Sequence, residues 1–311
     1  MVGEEGCKLQ DIVQVLIRGI TVKVKTAIIP AAGRGTRLLP ASKAIPKEMM
    51  PVVDKPGIQY IVEEAVASGL EEVVLVTAKG KGCIEDHFDI CRELEEVLAK
   101  KGTQELLTGI KDISRLVDII SVRQKKPLGT GDAVLCASRI AEGEFVAVLF
   151  PDDLIDADTP VTGQLMEVGS RYDAGVIAVR EVPEEDTHLY GIIQAEKVED
   201  KLYRITGIVE KPPPGTSPSN LAVIGRYILP PDIFPILKRL PPSSDGEIQL
   251  SEGLVELSRR RQLYGYQFSG TRYDIGDKLG FVQATIGYAL KRQDLRPRLM
   301  KWLNEFIQDE G

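Results

Sequence analysis

The sequence predicts an α/β protein: a mostly parallel, Rossmann-like mixed sheet sandwiched by helices. Three observations carry that expectation. Apolar runs of strand length alternate with amphipathic stretches of helix length through the first half of the chain. Glycine, aspartate and glutamine follow those runs, where ligand-binding loops of parallel sheets lie. From Ala174 onward the apolar runs shorten and crowd together, which predicts a mixed or antiparallel extension of the same sheet.

Taken in order, residues 1–24 read as an N-terminal extension. Leu9, Ile12, Val13, Leu16 and Ile17 recur there at helical spacing, which predicts a short amphipathic helix. The first strand is expected over 26–29, an uninterrupted apolar run closed by Pro30. Ala31-Ala32-Gly33-Arg34-Gly35-Thr36-Arg37 follows. Its glycines allow backbone angles and close approaches that a side chain forbids, and such a turn can aim several N–H groups at a phosphate. Arg37 and Lys47, ten residues apart, bring two cations to the same region. Together these point to a nucleoside triphosphate site. A Walker loop is excluded, because no Gly-Lys-Ser/Thr closes the turn. A dinucleotide fingerprint is excluded too: Leu38 stands at the third glycine, and Pro40, Pro46 and Pro51 break the helix that it requires.

Further elements are expected as a helix over 57–68, a strand over 73–77 and a helix marked by Ile84, His87, Phe88, Cys91, Leu94 and Leu98. A strand over 119–122 carries Arg123 and Gln124 at its end, and Pro127–Gly131 turns into a helix through Ile140. A strand over 145–150 leads to Pro151-Asp152-Asp153. Strands over 176–179, 192–196, 203–210 and 222–229 follow, with a proline-rich rigid loop after the third. Ser244 to Glu247 fits a capping box opening a helix through Arg260. Two final helices, about 277–291 and 296–308, form a C-terminal appendage to one catalytic domain over 25–311.

With 43% hydrophobic and 27% charged residues the chain has the composition of a soluble globular protein. A net charge of −7 argues against a general nucleic-acid-binding surface, so phosphates must be held by local cations and a metal ion. Four cysteines without Cys-x-x-Cys fit a reduced cytoplasmic protein, and they read as core residues. No apolar run reaches the ~20 residues of a membrane span, and the acidic start lacks the basic region of a secretion signal.

Gly-x-Gly-Thr-Arg, then Pro40, Lys43, Pro46-Lys47-Glu48-Met49, Pro51 and Asp54-Lys55-Pro56 resemble the signature of nucleotide-sugar pyrophosphorylases. The Ala-Ile-Pro-Lys-Glu-Met form is similar to that of the bacterial UTP–glucose-1-phosphate uridylyltransferases in particular. The resemblance runs from about Lys25 to the C-terminus, and residues 1–24 depart from it. It implies the nucleotidyltransferase, glycosyltransferase-A-like fold. It also implies UTP and glucose 1-phosphate as substrates, UDP-glucose and pyrophosphate as products, Mg²⁺ as cofactor, and a homodimer or tetramer. From position alone Asp152 is either a turn residue or an oxygen ligand, and Asp274 either a helix cap or a second ligand. The resemblance assigns both to the metal. It places Arg37 at the pyrophosphate end of the triphosphate, Lys47 near the phosphates, and the loop of Ala31, Ala32, Gly33, Gly35 and Thr36 around the nucleotide. Gln124 and the Gly129 backbone would read the base, Gly191 and Glu210 the sugar, and Lys211 the sugar phosphate. Glu48 is expected to orient Lys47 or a metal-bound water. His87 and His188 read as structural or surface residues, and Lys125-Lys126 as solvated.

A thymidylyl- or adenylyltransferase of the same fold is the neighbouring alternative. A non-catalytic nucleotide-sugar-binding regulator is disfavoured by the presence of Arg37, Lys47 and Asp152 together.

Overall fold

Most of the apolar runs lie side by side in one nine-stranded sheet of the computed structural model, which describes residues 22–243 and 246–310. The chain enters through β1 (Val24–Pro30) and three short 3-10 turns. The hairpin β2 (Pro51–Val52) and β3 (Lys55–Pro56) leads to α1 (Gly57–Ala67) and β4 (Glu72–Thr77). Then come α2 (Gly82–Phe88), α3 (Arg92–Lys101), α4 (Gln104–Ile113), β5 (Asp118–Arg123) and α5 (Thr130–Cys136). They are followed by β6 (Phe145–Leu149), β7 (Asp153–Asp156), α6 (Val161–Tyr172) and β8 (Gly175–Glu181). The second half adds β9 (Gly191–Glu199), β10 (Leu202–Glu210), β11 (Leu221–Leu229), α7 (Ile233–Arg239) and α8 (Leu250–Ser258). It closes with β12 (Leu263–Gln267), β13 (Thr271–Asp274), α9 (Lys278–Lys291) and α10 (Arg296–Glu310).

The sheet order is β5-β4-β1-β6-β11-β8-β12-β10-β9. Its first four strands are mutually parallel. β11 runs antiparallel to β6 and β8, β12 is parallel to β8, and β10 is antiparallel to β12 and β9. Helices cover both faces, which is why the central strands are continuously apolar. Successive residues of β1 point to opposite sides: Ile29 packs with Ile58, Ile61 and Leu165 from α1 and α6, and Ile28 with Val134, Leu237 and Leu254 from α5, α7 and α8. Residues 1–21, with the helix expected there, lie outside the described residues. Val22 and Val24 already pack in the core, so the first strand starts earlier than its apolar run suggests.

Three expected helices differ, and the one expected through Ile140 already ends at Cys136. The one read across Ile84 to Leu98 is two, because Asp89 adopts an extended conformation that ends α2. The residues that extended the period, Cys91 and Leu94, are exposed. Aspartate favours such breaks because it competes with the helix for backbone hydrogen bonds. The helix expected from Ser244 begins instead at Leu250, and Ser244 is outside the described residues. The intervening segment bonds across to the glycine turn: Ile248 N–H donates to Leu128 O (2.7 Å), and Gly131 N–H to Ile248 O (2.8 Å). Those tertiary bonds override the capping signal. Cys83 and Cys91 are exposed and Cys136 half-buried, contrary to the expected core positions; Cys7 is not among the described residues. α4, α6, α7 and the ribbon β7–β13 were not legible as separate elements.

Candidate active site

Arg37, Lys47, Asp152 and Asp274 come from three distant stretches and meet at one point. Asp152 follows β6, and the Lys47 ammonium donates to its Oδ2 at 2.7 Å. The Arg37 guanidinium reaches Asp152 at 3.5 Å with one nitrogen and Asp274 at 3.4 Å with the other. Backbone structure enforces the meeting. β7 pairs with β13 so that Asp153 faces Asp274, and Ile275 N–H donates to Asp152 O at 2.8 Å. Burial works against the Asp152 carboxylate, but the Lys47 ammonium, with a backbone hydrogen bond and Arg37, more than offsets it and holds the carboxyl below its usual range. Burial likewise opposes the Lys47 charge, and Asp152 reverses this and raises the ammonium above its ordinary value.

Two cavities flank this contact. One, of about 420 Å³, is walled by Ala32, Gly33, Lys47, Gln124 and the residues that follow β1, β4 and β5. Arg34, Lys43, Lys47, Lys79, Lys81 and Lys125 line it, and no carboxylate does. The other, of about 1100 Å³, is walled by Arg37, Asp152, Asp274, Gly191, Glu210 and Lys211 among others. β9 and β10 pair there with Gly191 opposite Glu210. Lys211 sits at φ 44, in the left-handed region, which costs an ordinary residue about 1–3 kcal/mol. Its N–H donates to Tyr190 O at 3.0 Å. The chain thus accepts strain where it aims this ammonium at the cavity rim.

The glycine loop is shaped rather than merely flexible. Gly35 has φ 65, and a Cβ there would stand 3.2 Å from the Lys47 Cβ, so the loop lets Lys47 pass closely. Gly129 has φ 94, and a Cβ there would come within 2.7 Å of Ile248 O. Ala31, Gly35, Thr36 and Gly129 wall neither cavity; they support residues that do. Gln124 does border the cationic cavity.

Glu48 corrects an expectation. It makes no hydrogen bond to Lys47; it is buried and accepts from Lys81 Nζ at 2.8 and 2.9 Å. Lys81 also donates to Ala31 O at 2.5 Å, so this pair anchors the glycine loop from below. Burial lowers the Lys81 pKa against the pull of Glu48. Sequence reasoning missed Lys81, although a Lys-Gly-Lys-Gly run after a buried strand was a signal. It also missed Arg226, a lone charge inside the apolar run of β11. Arg226 is fully buried, pairs with Glu64 at 2.7 Å, and donates to Phe150 O (3.1 Å) and Asp153 O (2.7 Å). It thereby fixes the backbone on both sides of Asp152. Arg272 bonds Asp153 (2.6 Å) and Asp274 (3.3 Å) and lies over the Tyr190 ring. His87 bonds Gln59 and His188 bonds the Glu185 carbonyl, in keeping with structural roles.

Two carboxylates sharing one guanidinium at a cavity wall are hard oxygen donors suited to Mg²⁺. No cluster of three or more potential metal-ligating side chains occurs among the described residues. No helix among them is long and apolar enough to cross a membrane.

Comparison with known proteins matches a family model described as nucleotidyl transferase over residues 26–289. The chain is 48% identical over 288 residues to a Bacillus subtilis protein named UTP–glucose-1-phosphate uridylyltransferase, covering 93% of this chain and 99% of that one. Among solved structures, a UTP-bound UGPase from Acinetobacter baumannii superposes with a TM-score of 0.85 at 40% identity, covering 91% of this chain and 99% of that chain. A UDP-glucose pyrophosphorylase complexed with UDP-glucose gives 0.79 at 40% identity, covering 87% and 100%.

Proposed function

The chain belongs to the nucleotidyl transferase family, and from that premise we propose that it transfers uridylyl from UTP to glucose 1-phosphate, releasing pyrophosphate and UDP-glucose. The observation that carries this reading is the Lys47–Asp152–Arg37–Asp274 contact between a purely cationic cavity and one bearing Glu210 and Lys211. UTP fits the first and glucose 1-phosphate the second, with their phosphates at the shared rim. The relatives' names and their bound UTP and UDP-glucose support the same assignment.

A sugar-phosphate oxygen attacks the α-phosphorus in line. One P–O bond forms while the bond to the β-phosphate breaks, and the electron pair leaves on pyrophosphate. The attacking oxygen is already anionic, so no general base is required. The obstacle is repulsion between two polyanions, which positioning and fixed cations lower. Lys47 holds the triphosphate, Arg37 the departing pyrophosphate and Lys211 the sugar phosphate. Gln124 faces the base, and Gly191 with Glu210 the glucose hydroxyls. Asp152 and Asp274 would hold Mg²⁺, which supplies charge neutralisation when bound; phosphate oxygens and water would complete its coordination. A homo-oligomer remains part of this reading, since α10 exposes Met300, Trp302, Phe306 and Ile307; sizing in solution checks it.

The test is a screen of UTP, dTTP, CTP and ATP against sugar 1-phosphates, read by pyrophosphate release with and without EDTA. UTP with glucose 1-phosphate is expected to be the best pair, and metal removal to abolish turnover. Full activity after complete metal removal would end the role assigned to Asp152 and Asp274.

A further inference from the structure

Gln124 stands just past β5, its side chain buried at the wall of the cationic cavity. Its Nε2 donates to Asp132 Oδ2 at 2.8 Å and to Gly129 O at 3.1 Å. A carboxylate and a backbone carbonyl can only accept, so both amide hydrogens are used and the orientation of the amide is forced. Turning the amide over would set oxygen against oxygen twice. Oε1 is therefore left facing the other way. It has no hydrogen-bond partner among the described residues, yet no described buried side-chain oxygen is orphaned, so Oε1 must be open to the cavity. The remaining polar lining consists of cations and Ser42, whose hydroxyl donates to Gly35 O. Cations meet phosphates; among the described lining residues the Gln124 amide oxygen is a neutral group without a partner, suited to the neutral end of the ligand, and it can only accept.

We infer that Asp132 is a positioning residue: by fixing the Gln124 amide, it makes the base end of this cavity demand a ring N–H and so discriminates against cytosine and adenine. Uracil carries that N–H between its two carbonyls. Cytosine and adenine present an unprotonated ring nitrogen in the corresponding place, which would meet Oε1 lone pair to lone pair. Asp132 does its work from the first turn of α5. The Gly129 carbonyl is held by the tight approach of the 247–248 segment. The inference rests on the uridylyl-transfer reading and adds to it the origin of base choice.

The test compares wild type and Asp132→Asn with UTP and with CTP at saturating glucose 1-phosphate. An asparagine amide donates as well as accepts, so it lifts one of the two constraints on the Gln124 amide, Gly129 O keeping the other, and lets the turned amide present its NH₂ to the cavity part of the time. The expected result is that the UTP-over-CTP preference in kcat/KM falls about tenfold to about a hundredfold, chiefly through KM, the range set by one mismatched buried hydrogen bond. A merely structural residue would lower both activities together. An unchanged preference in a variant of a UTP-preferring enzyme overturns this inference alone. A wild type that makes no UDP-glucose overturns the functional reading and this inference with it.

Discussion

The cavity after β1, β4 and β5 is walled by six cations and no carboxylate, whereas the cavity of the mixed half sets Arg37, Arg180, Lys211 and Arg272 against six carboxylates. Their frameworks differ as well. The nucleotide side hangs from parallel strands buried on both faces, and its loop is anchored by the buried Lys81–Glu48 pair. The sugar side ends in β9 and β10, many of whose residues are exposed, and its Glu210 and Lys211 side chains are exposed too. A triphosphate needs a concentrated positive field. A sugar monophosphate needs one cation and several hydroxyl partners. The two cavities match those two needs along one sheet, and the Asp152 contact is where the halves meet.

Breaking the anchor should have the largest effect. Lys81→Met leaves Glu48 buried without its partner, so unfolding stability should drop by about 3–5 kcal/mol, read by denaturant titration. Lys211→Ala should leave stability nearly unchanged, since that ammonium is exposed; an equal drop would erase the contrast between the halves.

Lys47→Met removes a cation from the shared rim and should lower kcat/KM by about 10²–10³-fold, whichever substrate is varied. The same variant has a pH signature. Asp152 in the wild type is held below its ordinary pKa, so its contribution is present above the unfolded value of about 4 and fades as pH falls through the lower folded one. The stability gap between wild type and Lys47→Met should therefore be widest near neutrality and narrow in acid. A gap that widens in acid would reverse the assignment.

Lys211→Ala should raise KM for glucose 1-phosphate by about tenfold to about a hundredfold, the loss of one charge-assisted contact, while KM for UTP barely moves. Equal changes for both substrates would dissolve the division of labour. Ionic strength sharpens the comparison most gently. Screening weakens a one-signed field more than a balanced one, so salt raised above a Debye length of about 10 Å toward about 3 Å should raise KM for UTP severalfold more than KM for glucose 1-phosphate.

The parallel half was the more legible in sequence, for the same physical reason that suits it to a triphosphate. Strands buried on both faces leave uninterrupted apolar runs such as Ala27 to Ile29, and the loops beyond them need glycine. The mixed half leaves weaker traces. β12 and β13 are short and part-exposed, and Arg272 was overlooked beside the aspartate it holds. Asp152 and Asp274 could be named from sequence, but their common partner Arg37 could not be inferred, because β7–β13 pairing sets residue 274 beside residue 153 and the contact of Arg37 with Asp274 spans 237 positions. Glu48 was expected to orient Lys47 or a metal-bound water; its hydrogen-bond partner, Lys81, lies 33 residues away and could not be read from chain proximity. The capping box at Ser244 failed because the chain beyond it bonds to the Gly129 turn instead of coiling.

The central claim is that phosphates meet at one rim between two cavities, and a crystal structure with bound UDP-glucose tests it most directly. The account predicts the diphosphate beside Lys47, Arg37 and Asp152, the uracil against Gln124 and the glucose against Glu210 and Lys211. A ligand lying wholly within one cavity, with its diphosphate away from Lys47, would contradict it.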